Sequence, residues 1–120
     1  MEPAIKIFTL NQWQGFQADG VFNGSDDDKR DGFIHLSYAD QLFGTVSKWF
    51  DGENAVVLAV FTPLETDLLK AEESRGGALF PHYYGVLTLA EMGLPVTVER
   101  REDGYSEADV AAALTALGIG

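Results

Sequence analysis

Ala55-Val56-Val57-Leu58-Ala59-Val60-Phe61 is seven apolar residues without a break. Pro63 stops it two residues later. The run is too short for an ordinary amphipathic helix and shows no alternation. It therefore reads as a central strand buried on both faces. A strand of that kind needs a sheet around it and a layer over each side of the sheet.

The rest of the chain supplies both. Upstream, Ile5-Lys6-Ile7-Phe8-Thr9-Leu10 reads as a first strand. Asn11 is placed to cap a helix running to about Asp19, with Trp13 and Phe16 on one face and Gly20 as its stop. Val21-Phe22 is a short apolar anchor. The acidic run Ser25-Asp26-Asp27-Asp28-Lys29-Arg30 reads as a solvated loop. Asp31-Gly32-Phe33-Ile34-His35-Leu36-Ser37 then leads into an amphipathic helix beginning near Tyr38, with Leu42, Phe43, Val46, Trp49 and Phe50 as its apolar stripe.

Downstream of the apolar run, Leu68 to Glu73 reads as a strand with Lys70 and Glu72 on the same face. Ser74-Arg75-Gly76-Gly77 is a loop. Val96-Thr97-Val98-Glu99 alternates as a half-exposed strand does. Ser106-Glu107-Ala108-Asp109 resembles a capping box, and opens a helix that turns Val110, Leu114 and Leu117 to the core. Strands and helices mix without a strict βαβ rhythm, so the class is α+β, in one domain spanning 1–120.

Composition narrows the function. Eight basic residues against nineteen acidic ones give a net charge of −11, which repels phosphate backbones and argues against duplex nucleic acid as a partner. With no cysteine there is no thiol nucleophile, disulfide or cysteine zinc site. No apolar run approaches the roughly 18–20 residues of a membrane span, and the N-terminus lacks signal-peptide features, so the expected location is cytoplasmic. The expected partner is a small molecule, and oligomeric state is not specified.

Only two histidines occur, and both sit in motifs dense in small and aromatic residues. His35 lies between Ile34 and Leu36, while His82 lies in Gly76-Gly77-Ala78-Leu79-Phe80-Pro81-His82-Tyr83-Tyr84-Gly85. Imidazole titrates near neutral pH and serves as donor or acceptor, so each is a candidate functional group and equally a candidate hydrogen-bonded core residue. Alternation puts Phe33, His35 and Ser37 on one face, and Ser37 is also well placed as the cap of the next helix. Tyr83 and Tyr84 must point opposite ways, one packing inward and the other facing a pocket or solvent. The two stretches are expected to line one pocket. No nucleophile elbow, His-Glu-x-x-His spacing or phosphate-binding glycine loop occurs, so no metal is expected.

At these motifs the chain resembles a family of bacterial and plant proteins designated domain of unknown function nine-fifty-two. The resemblance spans roughly residues 4 to 100. It rests on Trp13, Phe22-x-Gly24-Ser25, Asp31 to Ser37, Gln41, Glu72-x-Ser74, Gly76-Gly77 and Phe80-Pro81-His82-x-Tyr84-Gly85. Lys70-Ala71 departs from it, standing where a basic–aromatic pair is expected. The resemblance implies a fold similar to ADP-ribosyltransferases and RNA 2′-phosphotransferases, with two small mixed or antiparallel sheets and flanking helices around a nicotinamide-dinucleotide cleft. It implies a transferase acting on that dinucleotide or a related ribose-phosphate ligand, with His35, Glu72 and His82 in catalytic roles. Ser25, Phe33, Ser37, Ser74, Arg75 and Tyr84 would then bind the ligand. Such fold-level analogy is a weak warrant for activity. Lys70 and Arg75 are the only basic residues close to the motifs, which is thin support for a pyrophosphate. The competing expectation is a non-catalytic binding module for a small metabolite or peptide.

Overall fold

The computed structural model describes residues 2–63, 66–74 and 76–119, and Arg75 lies outside them. Strand β5 (Ala55–Phe61) occupies an interior position in a four-stranded sheet. Its neighbours are β1 (Ala4–Thr9) and β9 (Val96–Glu99), both antiparallel to it. Strand β4 (Ser37–Tyr38) pairs with the outer side of β1, so the order is β4-β1-β5-β9. Two smaller antiparallel sheets complete the α+β fold: β2 (Val21–Phe22) with β8 (Leu87–Thr88), and β3 (Ile34–His35), β7 (Leu79–Tyr83) and β6 (Leu69–Glu73) in the order β3-β7-β6. The strands thus form three sheets rather than two.

Alternation along β1 and β5 divides the interior into two cores. On one side Ala4, Phe8, Val57, Ala59 and Phe61 meet helix α1 (Leu10–Asp19) through Phe16, and the smaller sheets through Phe22, Ile34, Tyr83 and Leu87. On the other side Ile5, Ile7, Val56, Leu58 and Val98 are covered by α3 (Leu42–Trp49) and α4 (Glu107–Ala116) through Leu42, Val46, Val110 and Ala113. Each fully buried Leu, Val, Ile or Phe contributes about 1.5–3 kcal/mol, so covering both faces is what stabilises a seven-residue apolar strand.

Several local expectations change. Helix α1 is capped by Thr9, in a capping box with Gln12, because the chain turns one residue after the strand and Asn11 is already helical. The acidic run is not a loop: it folds as α2 (Asp26–Asp31), capped by a reciprocal box between Ser25 and Asp28. Acidic side chains in a first turn also match the positive end of the helix dipole. Gly32 closes α2 at φ 86°, a left-handed conformation open to glycine. A 3-10 turn over Ala39–Gln41 delays the next helix to Leu42, and Trp49 lies 64% exposed instead of in the core.

The stretch from Phe33 to Ser37 is not one strand on one sheet. Ile34 and His35 pair with Tyr83 and His82 of β7, and the Leu36 amide continues that ladder to the Pro81 carbonyl. Ser37 and Tyr38 then pair with Ile5 and Ala4 of β1. The chain therefore crosses from the three-stranded sheet to the four-stranded one at Leu36.

Candidate functional site

The two histidines are direct cross-strand partners, His35 on β3 opposite His82 on β7. Their rings are 5.7 Å apart and nearly perpendicular. Phe33 sits against both: its ring stacks on His82 at 3.9 Å and lies 4.7 Å from His35 and 5.5 Å from Tyr84. On β6 the cross-strand partners carry Lys70 opposite His82 and Glu72 opposite Phe80. Phe33, His35, His82, Tyr84 and Glu72 thus share the outer face of the β3-β7-β6 sheet. Tyr83, one residue from Tyr84, turns inward onto Phe61, with ring centroids 4.6 Å apart.

Each imidazole is held by carboxylates. His35 Nδ1 is 2.6 Å from Asp28 Oδ1 and its Nε2 is 2.9 Å from Asp31 Oδ2. His82 Nδ1 is 3.0 Å from Glu72 Oε1, the same oxygen that accepts the Tyr84 hydroxyl at 2.5 Å. The Tyr84 hydroxyl bond, with help from His82, keeps the Glu72 carboxyl below the usual carboxylate range against the pull of partial burial. The same bond pushes the Tyr84 phenol upward.

Behind His35 lies a buried ion pair. Asp28 Oδ2 accepts from Lys6 Nζ at 3.1 Å and from the Ser25 amide at 2.9 Å, while Oδ1 also accepts the His35 amide at 3.0 Å. Lys6 donates further to the His35 carbonyl at 3.0 Å and lies over the Phe22 ring. Burial alone would raise the Asp28 carboxyl, but the His35 bond, the Lys6 charge and the backbone donors hold it well below its ordinary value. Burial presses the Lys6 ammonium downward, opposed chiefly by Asp28.

Asp28 is the residue that sequence reasoning missed. Its signal was the Ser25-x-x-Asp28 box, which marks a helix start even inside a run of acids. Other candidates move away from the site. Ser37 is buried in β4 and donates to the Tyr38 carbonyl, so it neither shares the His35 face nor caps a helix. Ser25 is occupied as the cap of α2. Ser74 lies beyond the last β6–β7 pair, Glu73 with Leu79, at the hairpin tip, where its amide bonds the Ala78 carbonyl.

A groove of about 260 Å³ opens beside this face, lined by Phe33, Ile34, Tyr83, Tyr84, Gly85, Val86, Asn23, Asp28, Lys29 and Gly32. Neither imidazole lines it: Phe33 covers His82, whose side chain is 5% exposed, and His35 faces the α2 carboxylates. Gly85 keeps the groove's wall intact, since a Cβ there would meet the buried Tyr83 ring at 2.7 Å. Among the described residues no group of three or more His, Asp or Glu is placed to hold a metal ion, and no helix is long and apolar enough to cross a membrane.

Comparison with known proteins places the chain in a family. Residues 7–93 match the family model described as "Protein of unknown function (DUF952)", and the chain belongs to that family. The crystal structure of protein CC0527 from Caulobacter crescentus is similar to it, at 37% identity and TM-score 0.83, covering 93% of this chain and 99% of that one. The solution structure of the same protein gives 39% identity and TM-score 0.80 over 95% of this chain and 99% of that one. No curated protein shows significant similarity to the chain.

Proposed function

We propose that the outer face of the β3-β7-β6 sheet binds the ribosylated end of a nicotinamide nucleotide and supports transfer of its ribosyl group, on a scaffold of ADP-ribosyltransferase type. The observation that carries this reading is the Glu72 carboxylate. Its side chain is 38% exposed, it is fixed by Tyr84 and His82, and its ionised form is favoured. A fixed anion beside aromatic rings suits a flat cationic heterocycle. It also suits the positive charge that develops on a ribose carbon as a glycosidic bond breaks. When bound, the nucleotide would supply the ribosyl group and a nicotinamide that leaves with the bonding electron pair, while an acceptor hydroxyl or water bonds the ribosyl carbon and gives up its proton. The protein's part is positioning. His82 and Tyr84 orient Glu72, Phe33 shields His82 from water, and Asp28 fixes the His35 ring beside them.

The fit is uneven along the ligand. The groove is smaller than the roughly 300–1,000 Å³ of sites that enclose drug-sized molecules. Lys29 is the one cation lining it among the described residues, which leaves a pyrophosphate poorly matched. That shortage favours a second reading, in which the same face is a non-catalytic module for a small metabolite or peptide.

Calorimetry and imidazole shifts at His35 and His82 test the transferase reading, with nicotinamide riboside, the intact dinucleotide and ADP-ribose as probes. The transferase reading expects binding of the riboside and dinucleotide, and release of nicotinamide that falls at least about 100-fold in Glu72→Gln with binding retained. Binding without release leaves the module. No heat and no shift with any of the three sinks the transferase reading.

A further inference from the structure

Donors of the kind a phosphate needs are present but engaged. Asp31, the last residue of α2, bridges two donors: Arg30 Nε lies 3.2 Å from Oδ1 and His35 Nε2 lies 2.9 Å from Oδ2. A guanidinium and an imidazole each holding one oxygen is the arrangement these groups offer to an incoming oxyanion. His35 is fixed in that pose, because its Nδ1 is 2.6 Å from Asp28, a carboxylate that is 2% exposed and anchored by Lys6. A carboxylate oxygen lies against each ring nitrogen of His35. Arg30 is steadied from its other side by Asp27, at 2.9 Å.

The two carboxylates on His35 differ in kind. Asp28 is buried and makes bonds to Ser25, Lys6 and the His35 amide that could not be broken without disturbing the core. Asp31 is 36% exposed, and its side chain bonds are to Arg30 and His35 alone among the described residues. It precedes Gly32, so its side chain can swing to solvent without breaking a core contact.

We propose that Arg30 and His35 form an oxyanion clamp for a phosphate or carboxylate group of the ligand, and that Asp31 fills the clamp in the free protein as a displaceable internal stand-in. The nucleotide as ligand rests on the function proposed above; the clamp gives its phosphate a guanidinium and an imidazole beyond the lysine of the groove. A ligand entering here binds more weakly by the fraction of time Asp31 leaves the clamp open, so removing the carboxylate removes that penalty.

The test is titration of inorganic phosphate, followed by the ¹⁵N shifts of the His35 imidazole, in wild type, Asp31→Ala and Asp31→Asn. Asp31→Ala should bind phosphate about tenfold more tightly than wild type, which is the gain expected if the clamp is nine-tenths occupied. Asp31→Asn, which keeps the side-chain shape at the helix end, should gain in the same direction, and Arg30→Ala added to Asp31→Ala should abolish the gain. A His35 response that is absent in both Asp31 variants, or equal in them and wild type, overturns the clamp. Nicotinamide riboside, which has no phosphate, serves as the separate probe. If it binds no form while phosphate still gains, the nucleotide reading falls and the clamp stands. If it binds and phosphate gains nothing, the clamp falls and that reading stands.

Discussion

Asp28 uses two oxygens for four partners: the amides of Ser25 and His35, the Lys6 ammonium and the His35 ring. Replacing it with Asn leaves Lys6 charged and without its counter-ion in the core. Breaking a buried pair in this way costs about 3–5 kcal/mol. Urea denaturation of Asp28→Asn should show a loss in that range, and one below about 1 kcal/mol would mean that Lys6 finds another partner or escapes to water. The same carboxyl sets an acid response. Its pKa is lowered on folding, so between the folded and unfolded values the unfolded chain binds more protons and stability rises with pH. The contribution is complete above the ordinary carboxyl value of 3.8 and is lost as pH falls below it. Melting temperatures between about pH 5 and pH 2 should fall more steeply for wild type than for Asp28→Asn. Gly85 offers a cleaner steric test. A methyl group would stand 2.7–2.8 Å from the Tyr83 ring carbon and hydroxyl, and that ring is packed on Phe61. Gly85→Ala should cost about 1–3 kcal/mol by overpacking, with part recovered in the double variant carrying Tyr83→Phe.

Helix α2 shows why some elements were legible and others were not. The apolar run of β5, the Gly20 stop of α1 and the opposed Tyr83 and Tyr84 follow from periodicity and turn chemistry, which are local. Six residues of Asp-Asp-Asp-Lys-Arg-Asp carry no apolar stripe, so nothing periodic announces a helix. Its stability comes from its cap and from one tertiary anchor, and the anchor is a lysine on a strand twenty-two residues earlier. Ser37 was misplaced for a similar reason. Alternation holds only while a strand stays in one sheet, and the change of sheets at Leu36 depends on partners far away in sequence. Ser25→Ala should therefore cost about 1 kcal/mol as a lost cap. It should also weaken the hold on His35, seen as a changed imidazole shift without loss of the fold. A stability change with His35 unmoved would confine Ser25 to capping.

For the whole molecule, the four-stranded sheet needs both its layers. The family model ends at residue 93, before β9 and α4, yet the shared structure with CC0527 covers 93% of the chain and so extends beyond it. Val110 and Ala113 of α4 pack in the second core with Val56, Leu58 and Val98. A chain cut before Ser106 should expose those strand residues, lose cooperative unfolding and bind a hydrophobic dye. A sharp thermal transition in the shortened chain would show that α3 alone suffices. Two layers on a buried strand could be foreseen from Ala55 to Phe61, and so could the closeness of the two histidine motifs, though not their pairing as neighbouring strands. The carboxylate behind His35 and the shield over His82 could not, because both depend on tertiary contacts, α2 against β3 and Phe33 against β7, between residues apart in sequence.

The crossing at Leu36 has a mechanical meaning. Within five residues the chain is bonded first to β7 and then to β1, so it acts as a rivet through two plates. His35 sits beside the rivet head. The plates cannot part there without shearing both ladders, and the freedom left to admit a guest belongs to side chains at the rim, Asp31 and Tyr84 foremost, rather than to a jaw-like opening of the sheets.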